Sequence, residues 1–369
     1  MELSVIIVSH NVRAYLEHCL RSVEAASLRL RVEVIVIDNA SVDGTADWLP
    51  EAFKGVRFLP QSSNLGFATA CNLGLRYASG SHVLFLNPDT LVPEDCFEKC
   101  LAFFGAHPEA GALGVRMIDG QGNFLRESKR AFPSPMASLW KMLGLADRFP
   151  RQRPFAKYYL GWRDDFTTTE APILAGAFLM VRSSVVKETG GFDERFFLYG
   201  EDIDLSVRIE RAGWKNYFFA DTTIIHFKGQ SSGASGRAYR KYFYGAMRLF
   251  VGKYYAGALR APFRWTLDLG VFVSRAAARM KGPRPRPKSP GRLIIVGSGD
   301  DVQAFRKEHE IRQFICEDPP AWVLFCLGDM SAKEAIAWME RKGGNTPCFF
   351  HRRGGETIIG PDAQWEPLR

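Results

Sequence analysis

HVLFLNPDT, at positions 82–90, is the stretch whose reading decides the fold. Its apolar centre, Val83-Leu84-Phe85-Leu86, lies between Gly80-Ser81 and Pro88. A short β-prone run between breakers reads as a strand buried on both faces. Pro88 has no amide hydrogen to give to a ladder, so the strand stops there and leaves Asp89 at its carboxyl end. In an open α/β sheet that end is where ligands bind. Pro-Asp is also ordinary turn chemistry, so by itself Asp89 is equally well a turn residue.

The same pattern recurs on either side. Residues 3–9, LSVIIVS, read as a buried strand, followed by a turn at His10-Asn11. Val12, Leu16, Leu20 and Val23 give 12–27 helical spacing. VEVIVI (32–37) is a second buried strand, ending in Asp38-Asn39, and the turn 40–45 opens another helix. Residues 55–59 form a short strand, and NLGFATACNLGLRYAS (64–79) runs helically into the opening stretch. Beyond it, 93–106 is helical and 111–118 extended. Strands alternating with helices predict an α/β fold: a Rossmann-like, mostly parallel sheet with helices on both faces. Asp38 and Asp89 then share one sheet edge and face one cleft.

Residues 119–171 are less regular. They hold a basic patch, Arg126, Lys129 and Arg130, and a Pro-rich, aromatic stretch at 132–166. This region reads as loops and a short helix across the cleft mouth. PILAGAFLMVR (172–182) reads as one strand. The turn Gly190-Gly191-Phe192-Asp193 leads to a helix from Glu201 that Gly213 stops. A strand at 217–219 then leads to Asp221 and to Ile224-Ile225-His226. Residues 1–236 make one domain on this reading. The segment 237–281 reads as two aromatic-rich helices with basic stripes, Arg237, Lys241 and Arg248 on the first and Arg264, Arg275 and Arg279 on the second. A basic stripe beside an aromatic face suits a helix in a membrane interface; the plainer alternative is a helix packed on the body with a solvated basic face. GPRPRPKSP (282–290) is a stiff linker, and 291–369 is a small α/β module. Gly297-Ser298-Gly299 could cradle a phosphate but lacks the third glycine of a dinucleotide fingerprint.

With 369 residues, 46% hydrophobic and 24% charged, the chain has an ordinary globular composition. No apolar run reaches the roughly 18 residues of a membrane span. The N-terminus has no basic region and too short an apolar run for a signal peptide. The seven cysteines show no metal or disulfide spacing, which fits free thiols in a reducing cytoplasm. The net charge of +8 is uneven: 237–292 carries 14 Lys/Arg against Asp268 alone, so the remainder is mildly acidic. Such a segment seeks phosphates on an anionic membrane surface or a nucleic acid, and no nucleic-acid-binding motif accompanies it.

In one cleft these residues describe a chemistry. Asp38 and Asp43 can accept hydrogen bonds from a base or ribose. Asp89 can bind a hard divalent cation, and His226 can add an imidazole nitrogen. Glu201 and Asp202 open a helix, where the macrodipole favours ionised carboxylates, which suits a general base. Group transfer from a nucleotide diphosphate is the reaction that uses all three. Taken singly, each has a plainer reading, since acidic pairs at helix starts usually cap and a lone histidine after an apolar run is usually structural.

SVIIVSHN (4–11), VIDNASVDGT (36–45), NLGFATACNLG (64–74), LFLNPDT (84–90), LAGAFLMVR (174–182), GGFDERFFLYGEDIDLSVRIERAGW (190–214) and the later His226 occur in this order. The set resembles the family 2 glycosyltransferases of the GT-A fold, in particular their rhamnosyltransferase-like branch, over about the first 230 residues. The resemblance implies an inverting, metal-dependent enzyme using Mg²⁺ or Mn²⁺. It implies that Ser9 and Asn11 lie near the nucleotide, Asp38 contacts its base, and Asp43 is close by. Asn64, Gly66 and Asn72 would line the same pocket. Asp89 stands where the family binds metal, His226 where a further ligand stands, and Asp202, beside Glu201, where the base stands. Many relatives carry Asp where this chain has Asn87, which puts one charge fewer on the metal while still offering an oxygen to the nucleotide sugar.

The expectation is therefore transfer of a sugar from a nucleotide-diphosphate sugar to a lipid-linked surface glycan. The enzyme would sit peripherally on the cytoplasmic face of the bacterial inner membrane. A catalytically silent glycan- or partner-binding subunit of the same fold is the alternative.

Overall fold

The computed structural model describes residues 1–229, 236–255, 293–297, 322–328, 330–352, 357–361 and 364–365. In chain order the elements are β1 (Leu3–Ser9), α1 (Arg13–Ala26), β2 (Val32–Asp38), α2 (Thr45–Ala52), β3 (Val56–Pro60), α3 (Phe67–Leu75), β4 (His82–Leu86), β5 (Thr90–Leu91), α4 (Cys96–Ala106) and β6 (Ala110–Ile118). Then come β7 (Lys129–Arg130), α5 (Pro135–Met142), α6 (Leu145–Arg148), α7 (Arg153–Ala156), β8 (Thr169–Glu170), β9 (Ile173–Leu174), β10 (Phe178–Arg182), α8 (Ser183–Thr189), α9 (Glu201–Arg211), β11 (Lys215–His226) and α10 (Gly236–Tyr254).

The main sheet runs β3-β2-β1-β4-β10-β6-β11-β5, with β8 on β11. β1 is its axis, parallel to β2 on one side and to β4 on the other. The reason is compositional: β1 is buried along its whole length and apolar on both faces. Val5 and Ile7 join Val36, Leu84 and Leu86 in one core, and Ile6 and Val8 join Ile35, Ile37, Val83 and Phe85 in the other. Both faces must then be covered by helices, as in parallel sheets generally.

Four sequence expectations are corrected. PILAGAFLMVR is two strands: β9 pairs with β7 in a small two-stranded sheet, and β10 enters the main sheet antiparallel between β4 and β6. The chain leaves the sheet at Gly176, where a Cβ would come within 3.2 Å of Asp202 Cβ. Residues 217–226 lie in one strand, β11, whose pairing with β6 is irregular between Phe219 and Thr223. The region across the cleft mouth has three short helices, α5 to α7, in place of one. The basic patch is split: Arg126 stays partly exposed and pairs with Asp147, whereas Arg130 is buried and the Lys129 side chain is 0% exposed, its Nζ donating to the carbonyls of Arg163 and Asp164 and pairing with Asp165.

α10 packs on the body. Ala246 and Phe250 share a core with Ile173, Phe196, Ile203 and Val207. Lys253 pairs with Asp193 and Asp204, and Tyr254 Oη donates to Asp204. Lys241 and Arg248 remain exposed. The second basic helix, the Pro-rich linker and Ser298-Gly299 lie outside the described residues.

A second sheet joins β12 (Leu293–Val296), β13 (Trp322–Leu327), β14 (Cys348–Arg352), β15 (Ile358–Ile359) and β16 (Gln364–Trp365). The helix Ala332–Lys342 precedes β14 and begins with a Ser331/Glu334 capping box. This sheet shares an apolar core with the first: Phe325, Phe350, Ile336 and Met339 pack with Tyr15, Leu91, Ile118, Ile225 and Phe227. Arg116 pairs with Glu340, Tyr15 Oη donates to Gly360 O, and Glu94 accepts from the amides of Ala332 and Lys333.

Candidate active site

The carboxyl ends of β1 and β2 lie side by side, with Ser9 in register with Asp38. Asp38 is 2% exposed and accepts from Ser41 N and Oγ. A carboxylate has about four lone-pair sites, so further acceptor capacity remains. Ser9 Oγ is buried without a hydrogen-bond partner among the described residues. Asn11, at φ 55°, accepts from Val42 N through its Oδ1 and donates its backbone N–H to Ser41 Oγ, closing the turn after β1 onto the turn after β2.

Asp43 is used by the scaffold. Its oxygens accept from Arg13 N at 2.8 Å and from Thr45 N and Oγ1, tying together the starts of α1 and α2. Asn72 is likewise engaged. Its amide donates to Phe192 O and Glu194 and accepts from Phe192 N, fastening α3 to the loop before α9. Asn64 Oδ1 accepts from Gly66 N. Gly66 sits at φ 81°, and a Cβ there would lie 2.6 Å from Phe197 O, so the close approach of the 64–66 turn to the loop before α9 requires glycine.

At the other end of the edge, β5 and β11 pair antiparallel with His226 opposite Thr90. This brings His226 Nε2 within 3.3 Å of Asp89 Oδ1 and 3.4 Å of Asn87 Nδ2. Asp89 is 1% exposed and His226 8%. Two adjacent ligands each about 2.1 Å from an octahedral cation stand about 3 Å apart, and the Asp89–His226 separation fits that spacing. Among the described residues no third His, Cys, Asp or Glu joins them. An oxygen-preferring cation completed by substrate phosphates suits so small a donor set.

Glu201 and Asp202 open α9 behind Gly200, at φ 84°. Asp202 Oδ2 accepts from Arg130 Nη2 at 2.6 Å and from Gly176 N at 3.1 Å, and Oδ1 accepts from Ile203 N. Glu201 is 7% exposed. Burial, and then the Asp202 carboxylate, push its carboxyl up to about 8. The expectation that both acids stay ionised at the helix start therefore fails for Glu201, since desolvation there outweighs the macrodipole. A cavity of about 260 Å³ opens on these acids. Arg130, Lys141, Tyr158, Tyr159, Lys228 and Phe243 are among its walls.

The family model "Glycosyl transferase family 2" matches residues 4–190, from the second residue of β1 to beyond β10, with Asp38 and Asp89 inside the match. The N-acetylglucosaminyl-diphospho-decaprenol L-rhamnosyltransferase of Mycobacterium tuberculosis is 31% identical over 278 residues, 72% of this chain and 89% of that protein. The chain belongs to glycosyltransferase family 2.

The rhamnosyltransferase WbbL of Escherichia coli K12 is 24% identical to this glycosyltransferase over 73% of its chain and 95% of that protein. S. aureus TarS, solved with UDP-GlcNAc, is 18% identical over 76% of this chain and 75% of that one, with a TM-score of 0.48. Two residues of the candidate site are not marked as such by the sequence. Arg130 reads in the sequence only as part of a basic patch, and its partner is 72 residues away. Asn39 accepts from Leu65 N and donates to Gly66 O, joining β2 to the 64–66 turn. The VIDNAS segment holds Asn39, yet nothing local marks it as the tie.

Proposed function

We propose that this glycosyltransferase is an inverting enzyme that moves a sugar from a nucleotide-diphosphate sugar to a hydroxyl of a lipid-linked glycan. The observation that carries this reading is the division of the site. Asp38 lies at one end of the sheet edge, Asp89 meets His226 at the other, and Asp202 stands at a separate cavity. Asp38, with Asn11 and Ser9 beside it, receives the nucleoside, and the 64–66 turn shapes the wall of that pocket. Asn72 and Asp43 act through the scaffold they tie. The acceptor hydroxyl gives its proton to Asp202 as its oxygen attacks the anomeric carbon. The bond from that carbon to the phosphate oxygen breaks, and the nucleoside diphosphate leaves with the electron pair. Attack opposite the leaving group inverts the centre. Mg²⁺ or Mn²⁺ held by Asp89 and His226, with Asn87 alongside, would neutralise charge on the departing diphosphate.

The named acceptor of the Mycobacterium tuberculosis relative, a diphospho-decaprenol, supports a lipid-linked acceptor and a rhamnosyltransferase-like reaction here. Among the described residues no helix is long and apolar enough to cross a membrane. The basic segment 237–292, with Lys241 and Arg248 exposed, supports peripheral docking on the anionic inner face of the cytoplasmic membrane. On this reading residues 1–236 form the catalytic domain, 237–281 the docking segment, 282–290 a linker and 291–369 an accessory module.

Asp202→Asn tests the assignment of the base. Transfer falls by about 10²–10⁴-fold, while the affinity for a nucleotide-diphosphate sugar, read by calorimetry, is retained. Undiminished turnover sinks it.

A further inference from the structure

We propose that the second sheet is a buttress for the metal corner: Phe350, together with Tyr15 of α1, fixes Phe227 and through it the meeting of His226 with Asp89. This rests on the reading above that Asp89 and His226 hold the cation. It makes Phe350 a positioning residue and gives the sheet formed by β12 to β16 a part in the reaction.

The corner stands on the weakest part of the main sheet. β5 is the last strand in the order, only two residues long, and its ladder with β11 has two pairs, Ile225 opposite Leu91 and His226 opposite Thr90. β11 itself shifts register between Phe219 and Thr223, shortly before His226. So short a ladder at a sheet edge is marginal by itself. Yet Asp89, Thr90, Leu91, Ile225 and Phe227 are all buried. The edge is therefore covered and held from outside the main sheet.

The second sheet supplies that cover. Leu91, Ile225 and Phe227 share one apolar core with Phe325 and Phe350. Phe227, the residue after His226, is the link. Its backbone amide donates to Asp89 O at 2.9 Å, so its position bears on both members of the corner. Its ring meets Phe350 edge-on, 5.6 Å between centroids at 78°, and Tyr15 at 5.5 Å. Phe350 is 0% exposed and stacks on Phe325. Tyr15 is tied to the same module, since its hydroxyl donates to Gly360 O at 2.8 Å. Gly120 completes the packing: a Cβ there would lie 3.1 Å from the Phe227 ring and 3.0 Å from Pro361.

Removing the Phe350 ring opens a void beside Phe227, and the surrounding side chains close such a void only in part, by moving into it. A shift of Phe227 alters the 3.3 Å separation of His226 Nε2 from Asp89 Oδ1, the spacing that suits two ligands of one cation. Groups that orient a metal's ligands from behind change its affinity by about 10–100-fold when they are lost. Phe350 acts through one intervening residue, so the lower end of that range applies.

Binding of Mn²⁺ alone to the full chain, read from the loss of the free ion's electron paramagnetic resonance signal, tests this. Each variant is compared under conditions where circular dichroism shows it folded. Phe350→Ala should weaken Mn²⁺ binding by about tenfold. Phe350→Leu, which refills most of the void, should weaken it by less, and it decides the question if Phe350→Ala does not fold. Leu324→Ala is the control. Leu324 lies on the other face of the second sheet, in a core with Cys326, Phe349 and Ile358 that holds no residue of the corner. It should lower the stability of the second sheet and leave Mn²⁺ affinity unchanged. Wild-type affinity in the Phe350 variants overturns the proposal, and so does an equal loss in Leu324→Ala, which would reduce the effect to general loosening. Asp89→Ala separates the two readings. If the wild type binds no Mn²⁺, or Asp89→Ala binds it equally well, the metal reading fails and the buttress with it; if Asp89→Ala alone loses Mn²⁺, only the buttress fails.

Discussion

Arg130 Nη2 lies 2.6 Å from Asp202 Oδ2, so the carboxylate proposed as the base is already half of an ion pair. The side chains are 10% and 15% exposed. Breaking such a pair from one side leaves an uncompensated charge, at a cost of about 3–5 kcal/mol. Arg130→Leu should destabilise the fold by that amount, and adding Asp202→Asn should recover part of it. A double-mutant cycle by urea unfolding reads the coupling. Additivity within about 0.5 kcal/mol would mean that the pair contributes nothing to the fold.

The pH dependence of stability should carry the mark of Glu201. Its carboxyl is pushed from an ordinary 4.5 up to about 8, by burial first and by Asp202 second. Between those values the folded chain holds a proton that the unfolded chain has released. The sign follows: the contribution is fully present below the lower value and is lost as pH rises through the upper one. The slope is at most about 1.4 kcal/mol per pH unit. Glu201→Gln stays neutral throughout, so its urea midpoint should fall less than the wild type's across that window. Parallel curves for the two proteins would show that Glu201 does not titrate as described.

Asn87 is where this chain has one charge fewer than many of its relatives. Its amide lies 3.4 Å from His226 Nε2, beside Asp89. A second carboxylate there should tighten metal binding by about 1–3 kcal/mol, given about 1–4 kcal/mol between unit charges at 4 Å in water or near a protein surface. Asn87→Asp should therefore lower the Mn²⁺ concentration needed for nucleotide-sugar binding by roughly five- to 150-fold. Asp89→Ala should remove the metal dependence. A Mn²⁺ titration at fixed nucleotide sugar decides both, and unchanged midpoints would place the metal elsewhere.

Phe350 joins the second sheet to the strand that carries His226. Its ring packs 5.6 Å from that of Phe227, which in turn packs 5.5 Å from Tyr15 and donates its amide to Asp89 O. Phe350→Ala should cost about 3–5 kcal/mol, read as a lower urea midpoint for the cooperative unfolding of the whole chain. Loss confined to a separate early transition would show that the two sheets unfold independently.

Local patterning alone determined a good deal. β1, β2 and β4 are short runs apolar on both faces, and such runs can be satisfied only inside a sheet covered on both sides. Their polar ends, Asp38 and Asp89, therefore had to fall along one edge. The family motifs ride on those same ends. Tertiary structure decided the rest, because the deciding contacts join residues far apart in the chain. β10 runs antiparallel between β4 and β6, strands far from it in the chain, and just before it Gly176 passes close to Asp202. Arg130 is drawn inside by a carboxylate 72 residues away. Asp43 and Asn72 are spent on scaffold bonds that only a folded neighbour can offer. Burial, which no local spacing records, pushes the Glu201 carboxyl up against the pull of the helix start. The 82–90 stretch placed Asp89 at a ligand edge, but only the pairing of β5 with β11 brought His226 to meet it.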